Sequence, residues 1–279
     1  MKQPDDRLTC DLRTPQVMAI VNVTPDSFYA ASRLANEEQV VQRVEQAVAE
    51  GASIIDIGGY SSRQGAADVP LEEEWRRVEL GVRAVRAVSA EVAVSVDTFR
   101  SEVAERALAL DNHIIINDIT AGCADPRIVD VVADAGAVFV AMHMRGTPAT
   151  MQSLTDYEDV VAEVVEALQQ RADALVERGI SPERLILDPG FGFAKSAEQN
   201  FRLLAHLAKV CELGFPVLSG VSRKSMIYRT LGVTPEESLA GTTALNWESL
   251  RQGAIILRVH DVREAVQTVR LFEEFERNR

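Results

Sequence analysis

Cysteine is scarce in this sequence. The three present, Cys10, Cys123 and Cys211, lie far apart and form no C-x-x-C pair. That usage excludes a disulfide framework and a cysteine zinc site, and it reads as a reducing compartment. Long apolar runs are missing too: none approaches the roughly 18–20 residues that span a membrane. The stretch 1–12 is polar, mixes charges and has no apolar core, so it does not read as a signal peptide. A cytoplasmic protein without membrane contact is expected. Positive charge is in deficit as well, with 29 Lys and Arg against 42 Asp and Glu, a formal net charge of −13. So acidic a chain is a poor nonspecific binder of nucleic acid or anionic membranes, and any phosphate site in it needs a local basic cluster.

What is present is material for a large core: 47% of the 279 residues are hydrophobic and 25% are charged. A single domain over 1–279, with its core at about 16–278, is expected, because α/β barrels of roughly 250 residues fold as one unit. One pattern recurs. A helical stretch is followed by Gly, then by a short apolar run that ends in polar residues. It appears at Gly51 before Ile54-Ile55-Asp56, and at Gly136 before Val138-Phe139-Val140-Ala141-Met142-His143. It returns at Gly179 before Leu185-Ile186-Leu187-Asp188, at Gly214 before Val217-Leu218-Ser219, and at Gly253 before Ile255-Ile256-Leu257-Arg258. Gly just past a helix permits the left-handed C-cap, and a short β-branched run reads as a buried parallel strand.

Runs at 17–23, 92–96 and 114–117 bring the strands to eight. The intervening segments carry helix starts. Thr234-Pro235-Glu236-Glu237 reads as a capping box, Asn36 with Gln39 and Ser196 with Gln199 look similar, and 158–177 is amphipathic. Eight strands alternating with eight helices predict a (β/α)8 TIM barrel. The alternative is an open doubly wound sheet, but the first strand lacks the G-x-G-x-x-G of its dinucleotide-binding version.

Chemistry in such a barrel sits at the carboxyl ends of the strands. Those ends read Asn22, Asp56, Asp97, Asn117, His143, Asp188, Ser222-Arg223-Lys224-Ser225, and Arg258 with His260. Asp97 and Asn117 can each be simple helix caps, but a full ring of polar ends is not explained by capping. Arg63, Arg223, Lys224, Arg258 and His260 form a candidate phosphate cluster, since Arg offers a planar fork to phosphate oxygens and Lys a mobile charge. Asp97, Asn117 and Asp188 suit a flat heterocycle such as a pterin or guanine. A carboxylate accepts two parallel N–H bonds, and Asn both donates and accepts.

Four motifs then stand in order: Asn22-Val23-Thr24-Pro25-Asp26-Ser27-Phe28, Asp188-Pro189-Gly190-Phe191-Gly192-Phe193, Ser222-Arg223-Lys224-Ser225-Met226 and Arg258-Val259-His260-Asp261. Together they resemble the dihydropteroate synthases of the folate pathway, from about Val17 to the last helix. The resemblance implies a transferase that condenses 6-hydroxymethyl-7,8-dihydropterin diphosphate with 4-aminobenzoate, releases pyrophosphate and uses Mg²⁺. It also implies a homodimer and a sulfonamide target. By position, Asn22 matches the residue that contacts metal and diphosphate. Arg63, Arg258 and His260 match anion contacts, and Ser62 keeps the hydroxyl of a substrate-binding position. Asp97, Asn117, Asp188 and Lys224 match the pterin pocket, with Met142 along the ring face and Gly220 beside it. Phe28, Phe193, Arg223 and Ser225 match the surroundings of the aminobenzoate. The resemblance makes Asp97, Asp188 and Lys224 the catalytic set.

Departures fall in two loops. Tyr29-Ala30-Ala31-Ser32-Arg33 lacks the family's Asp and glycines, and Arg33 is a substitute diphosphate contact. Gln64 replaces a Pro. Two other readings stand beside the first: a methyltetrahydrofolate-dependent methyltransferase and a catalytically silent pterin binder. Elsewhere the reading is structural. His113 and His206 are expected to be structural, and Trp75 and Trp247 to pack on outer helices. His143 either supports a network or packs. Glu72-Glu73-Glu74 reads as a solvated first helical turn.

Overall fold

The computed structural model describes residues 12–23, 33–60 and 68–279, with only the backbone described for 33–36. Eight strands form a ring: β1 (Gln16–Asn22), β2 (Ile54–Gly58), β3 (Ala93–Asp97), β4 (Ile115–Asp118), β5 (Val138–Met142), β6 (Leu185–Asp188), β7 (Leu218–Ser219) and β8 (Ile256–Val259). Their pairing is parallel, in the order β6-β5-β4-β3-β2-β1-β8-β7. A bridge between Leu187 and Val217 joins the two ends. An open sheet has no such join, so the barrel expectation holds and the doubly wound alternative falls.

Ten α-helices lie among the described residues, two more than expected. They are α1 (Arg33–Ala49), α2 (Leu71–Val88), α3 (Ser101–Leu110), α4 (Arg127–Ala135), α5 (Val160–Glu177), α6 (Ala197–Ala205), α7 (Ala208–Cys211), α8 (Ser225–Leu231), α9 (Leu239–Arg251) and α10 (Val262–Arg277). The surplus comes from splitting. α6 and α7 share one crossover and α8 and α9 another. Gly232 ends α8 in the left-handed region at φ 67°. The five glycines of the recurring pattern likewise have positive φ, between 59° and 105°.

The start signals fare unevenly. Ser196 and Gln199 form their reciprocal cap on α6. Thr234 and Glu237 exchange the same bonds, but in a turn one step ahead of α9. Asn36 starts nothing, because α1 already runs from Arg33. Trp247 packs edge-on against Phe272 and Phe275, 5.5 and 5.7 Å between centroids.

Alternation along the strands places the site. A small cluster of Met18, Ile54, Ala93, Ile115, Val138, Val140, Ile186, Leu218 and Ile256 fills the barrel interior. Two residues further along, the same faces carry Asp56, Ser95, Asn117, Met142, Asp188 and Arg258, because side chains alternate with period two. The barrel is therefore apolar below and polar above. Outward positions such as Ile55, Ile57, Val94, Val96, Ile116, Phe139 and Leu187 belong to the larger core under the helices.

That outer layer is close-packed. A Cβ at Gly81 on α2 would sit 2.4 Å from Ile57 Cγ2. Gly81→Ala is expected to destabilise the fold by about 1–3 kcal/mol, as overpacking does. Urea unfolding measures this, and an unchanged midpoint would show that α2 can slide off β2 freely.

Candidate active site

The strand ends converge on one narrow cleft. Asp97, Asn117, Met142 and Asp188 line it from β3, β4, β5 and β6. Phe193, Gly220, Lys224 and Arg258 complete it from the loops and β8. Eight expected residues thus share one site.

Arg258 is the hub. Its Nε donates to Asp56 Oδ2 at 2.7 Å and its Nη2 to Asp97 Oδ2 at 2.8 Å. Burial opposes the charge on Arg258, but Asp56 and Asp97 outweigh that and raise its pKa. Asn117 Nδ2 reaches the fully buried Asp56 at 3.4 Å. Burial pushes Asp97 above the usual carboxylate range, while Arg258 pulls it back. Neither Asp97 nor Asn117 is a helix cap. Arg100 precedes α3 and Pro126 precedes α4. Arg258 therefore lies among the acids of the cleft rather than apart with His260.

Asp188 is 7% exposed, and its Oδ1 accepts the Gly190 N–H at 2.7 Å. Burial raises its pKa, and the Gly190 N–H and Lys224 hold it down. Lys224 Nζ stands 4.4 Å from the Phe193 ring centroid. Burial and Arg258 lower its pKa to about 8, with Asp188 and Asp97 opposing. Lys224 is thus still mostly ammonium at neutral pH.

A second hollow opens beside the cleft, lined by Asn22, Arg43, Arg223, His260 and Arg263 among others. Burial and then Arg223 lower the His260 pKa to about 4, so its imidazole is neutral at pH 7. Ser222 Oγ accepts the His260 backbone N–H at 3.2 Å and lies 3.0 Å from His260 Nδ1. A hydroxyl has one donor and two acceptor lone pairs, and in the tautomer where it donates to Nδ1 the ring proton is on Nε2. His260 can meet an anion as a neutral donor. Arg223 is held bidentate by Asp261 at 3.1 and 2.5 Å on this side, away from the cleft's lining. Ser225 opens α8 as its first residue.

Among the described residues, no group of three or more His, Cys, Asp or Glu is placed to hold a metal. Asn22 offers one amide oxygen, and Gly58 leaves it room, since a Cβ there would stand 2.9 Å from Asn22 Oδ1. One oxygen donor does not make a resident site. It fits a magnesium ion that arrives on substrate phosphates and keeps much of its water.

Comparison with known proteins now bears on this geometry. The model of the family described as pterin binding enzyme matches residues 18–260. Dihydropteroate synthase of Escherichia coli K12 is 43% identical over 263 residues, covering 94% of this chain and 92% of its own. The chain belongs to the dihydropteroate synthase family. The crystal structure of the Xanthomonas albilineans dihydropteroate synthase with 4-aminobenzoic acid superposes with TM-score 0.88 at 42% identity, over 95% of this chain and 94% of that one. The Yersinia pestis dihydropteroate synthase in a sulfonamide drug complex gives 0.89 at 38% identity, over 96% of each chain.

Against the dihydropteroate synthase expectations, several positions remain outside the described residues: Phe28, Tyr29, Ala30, Ala31, the side chain of Arg33, Ser62, Arg63 and Gln64. The acidic run needs a correction. Glu72 is exposed, but Glu74 is fully buried and bonded to Thr98 and Arg100 at 2.7 and 2.8 Å. Three like residues in a row face three directions on a helix, and the third turns inward. His143 belongs to a network, because its Nδ1 lies 3.0 Å from Lys195 Nζ. Sequence reasoning missed Lys195 altogether, and it named Asp56 without seeing its partner. It also stopped one residue short of Asp118. That carboxylate accepts from Thr120 N, Thr120 Oγ and Gly122 N at 2.7–2.8 Å and shapes the loop after β4. The available signal was the two-residue period, which puts Asp56 on the same face as Asp97.

Proposed function

We propose that this cleft performs dihydropteroate synthesis, joining 6-hydroxymethyl-7,8-dihydropterin diphosphate to 4-aminobenzoate and releasing pyrophosphate. The chain is a transferase of folate biosynthesis. The observation that carries the reading is the meeting of Asp97, Asn117 and Asp188 with Lys224 and Arg258 in one cleft. In the reaction, the bond from the exocyclic carbon to the diphosphate oxygen breaks and its electron pair leaves with pyrophosphate. The aniline nitrogen forms the new bond and releases its proton. Asp97 and Asp188 accept N–H bonds from the pterin and stabilise positive charge spread into its ring. Arg258 favours the charged form of both acids against their burial, and Lys224 does the same for Asp188. His260 and Arg63 meet the departing anion. Phe193 and Ser225 flank the aminobenzoate. A magnesium ion, held by Asn22 and substrate oxygens, would neutralise charge on the leaving group. No nucleophilic side chain is required, because the aniline attacks as a neutral amine.

We further propose a cytoplasmic homodimer. The sparse, separated cysteines support the compartment. Exposed Leu271 and Phe275 on α10 support an apolar contact. Among the described residues, no helix is long and apolar enough to cross a membrane. Purified protein with Mg²⁺, the pterin diphosphate and 4-aminobenzoate is expected to release pyrophosphate in a coupled assay, with one equivalent per dihydropteroate formed. Pterin binding without pyrophosphate would instead identify a silent binder. A methyltransferase would leave the Ser222–Ser225 motif and the Arg258/His260 pair without a purpose.

A further inference from the structure

Lys195 is an anomaly at the edge of the cleft. Its side chain is buried, 4% exposed, and among the described residues no carboxylate forms an ion pair with it. Its Nζ lies 3.0 Å from each of three acceptors: Gly190 O, Phe193 O and His143 Nδ1. An ammonium has three N–H donors, so all are used. A buried cation without a paired anion is costly, and an apolar side chain of similar size would suit the burial better. The contacts it makes must therefore matter.

Those contacts fasten a tight turn. Gly190, Gly192 and Ala194 all have positive φ, at 69°, 80° and 50°. Glycine adopts this region freely, but Ala194 carries a side chain and persists there only where the surroundings hold it. The turn also presses on β5: a Cβ at Gly190 would stand 2.0 Å from His143 O. From α6, Asn200 Oδ1 accepts the Gly192 N–H at 2.7 Å. Phe193, whose own carbonyl is clamped, lines the cleft and carries Lys224 Nζ on its ring face.

We propose that Lys195 is a positioning residue for this reaction, tying the 190–193 turn to the end of β5 and so setting the Phe193 ring in the cleft. The clamp does not depend on the charge of Lys195. Burial lowers that amine to about 7, Asp188 opposes, and Lys224 and Arg145 add to the lowering. As an ammonium it donates to all three acceptors. As a neutral amine it donates to Gly190 O and Phe193 O and accepts from the other tautomer of His143, which burial keeps uncharged.

The inference rests on the proposed reaction and is tested in the same assay. Lys195→Ala is expected to raise KM for 4-aminobenzoate at least about tenfold, the low end for losing a hydrogen bond to a charged group. Pterin affinity should change far less, because Asp188 is also anchored by β6. Propylammonium replaces the atoms deleted beyond Cβ and should bring KM back down. Tetramethylammonium has charge but no N–H donor and should not. Lys195→Met keeps the side-chain volume, and should fold and show the same KM defect without rescue. It carries the test if Lys195→Ala melts below the assay temperature. A wild-type KM in either folded variant overturns the proposal. So does an equal loss of pterin and aminobenzoate binding that propylammonium leaves untouched. No turnover by the unsubstituted protein would instead count against the proposed function.

Discussion

Arg258→Ala is expected to lower kcat/KM by about 10²–10³, the range for removing one preorganised donor from an active site. Arg258 also answers two buried carboxylates, at 2.6 Å from Asp56 and 2.8 Å from Asp97. Removing one partner of a buried ionic cluster typically costs about 3–5 kcal/mol, because the remaining charges stay desolvated. The acids respond by taking up protons. Asp97 is already raised by burial, and it loses the cation that held it down. A carboxyl whose folded pKa lies above its unfolded value binds more protons when folded. Its contribution to stability is present in acid and is lost as pH rises. The variant should therefore lose more stability at about pH 8 than at about pH 5, read as urea midpoints. Binding of the pterin alone should fall along with use of its diphosphate, since Asp97 lies in the same cluster. A loss confined to the diphosphate substrate would return Arg258 to a purely anion-binding role.

Asp188→Asn should weaken pterin binding by about 10- to 150-fold, from roughly 1.5–3 kcal/mol for a hydrogen bond to a charged group. The amide keeps an oxygen for the Gly190 N–H, so the turn should survive. What disappears is the charge and one of two paired acceptors. Asp188 also holds the Lys224 pKa up against burial. Without it Lys224 loses its proton below its present value of about 8, and the alkaline limb of the rate profile should move to lower pH. Calorimetry with the pterin checks the first effect and a pH–rate profile the second. Unchanged pterin affinity would remove Asp188 from ring recognition.

The ring of polar strand ends was legible because its causes are local. Short β-branched runs after Gly mark buried parallel strands, and a barrel brings their carboxyl ends to one face. Asp97, Asn117, Asp188 and Lys224 follow from that rule alone. Glu74 did not, since its burial depends on Thr98 and Arg100 arriving from the next strand-end loop. The division of α8 from α9 was hidden for a related reason: the Thr234–Glu237 cap is real, but Gly232 and the turn place it ahead of the helix it was expected to start.

From the sequence alone came the barrel, the face that carries chemistry and the residue types on it, because hydrophobic period and chain-end chemistry are properties of neighbours along the chain. Only the tertiary structure decided which charges meet. Arg258 reaches Asp56 across 202 residues and Asp97 across 161, and only closure of β8 onto β1 brings them together. Lys195 became visible for the same reason: a lysine in a loop reads as solvated until packing removes the water and leaves three acceptors around its nitrogen.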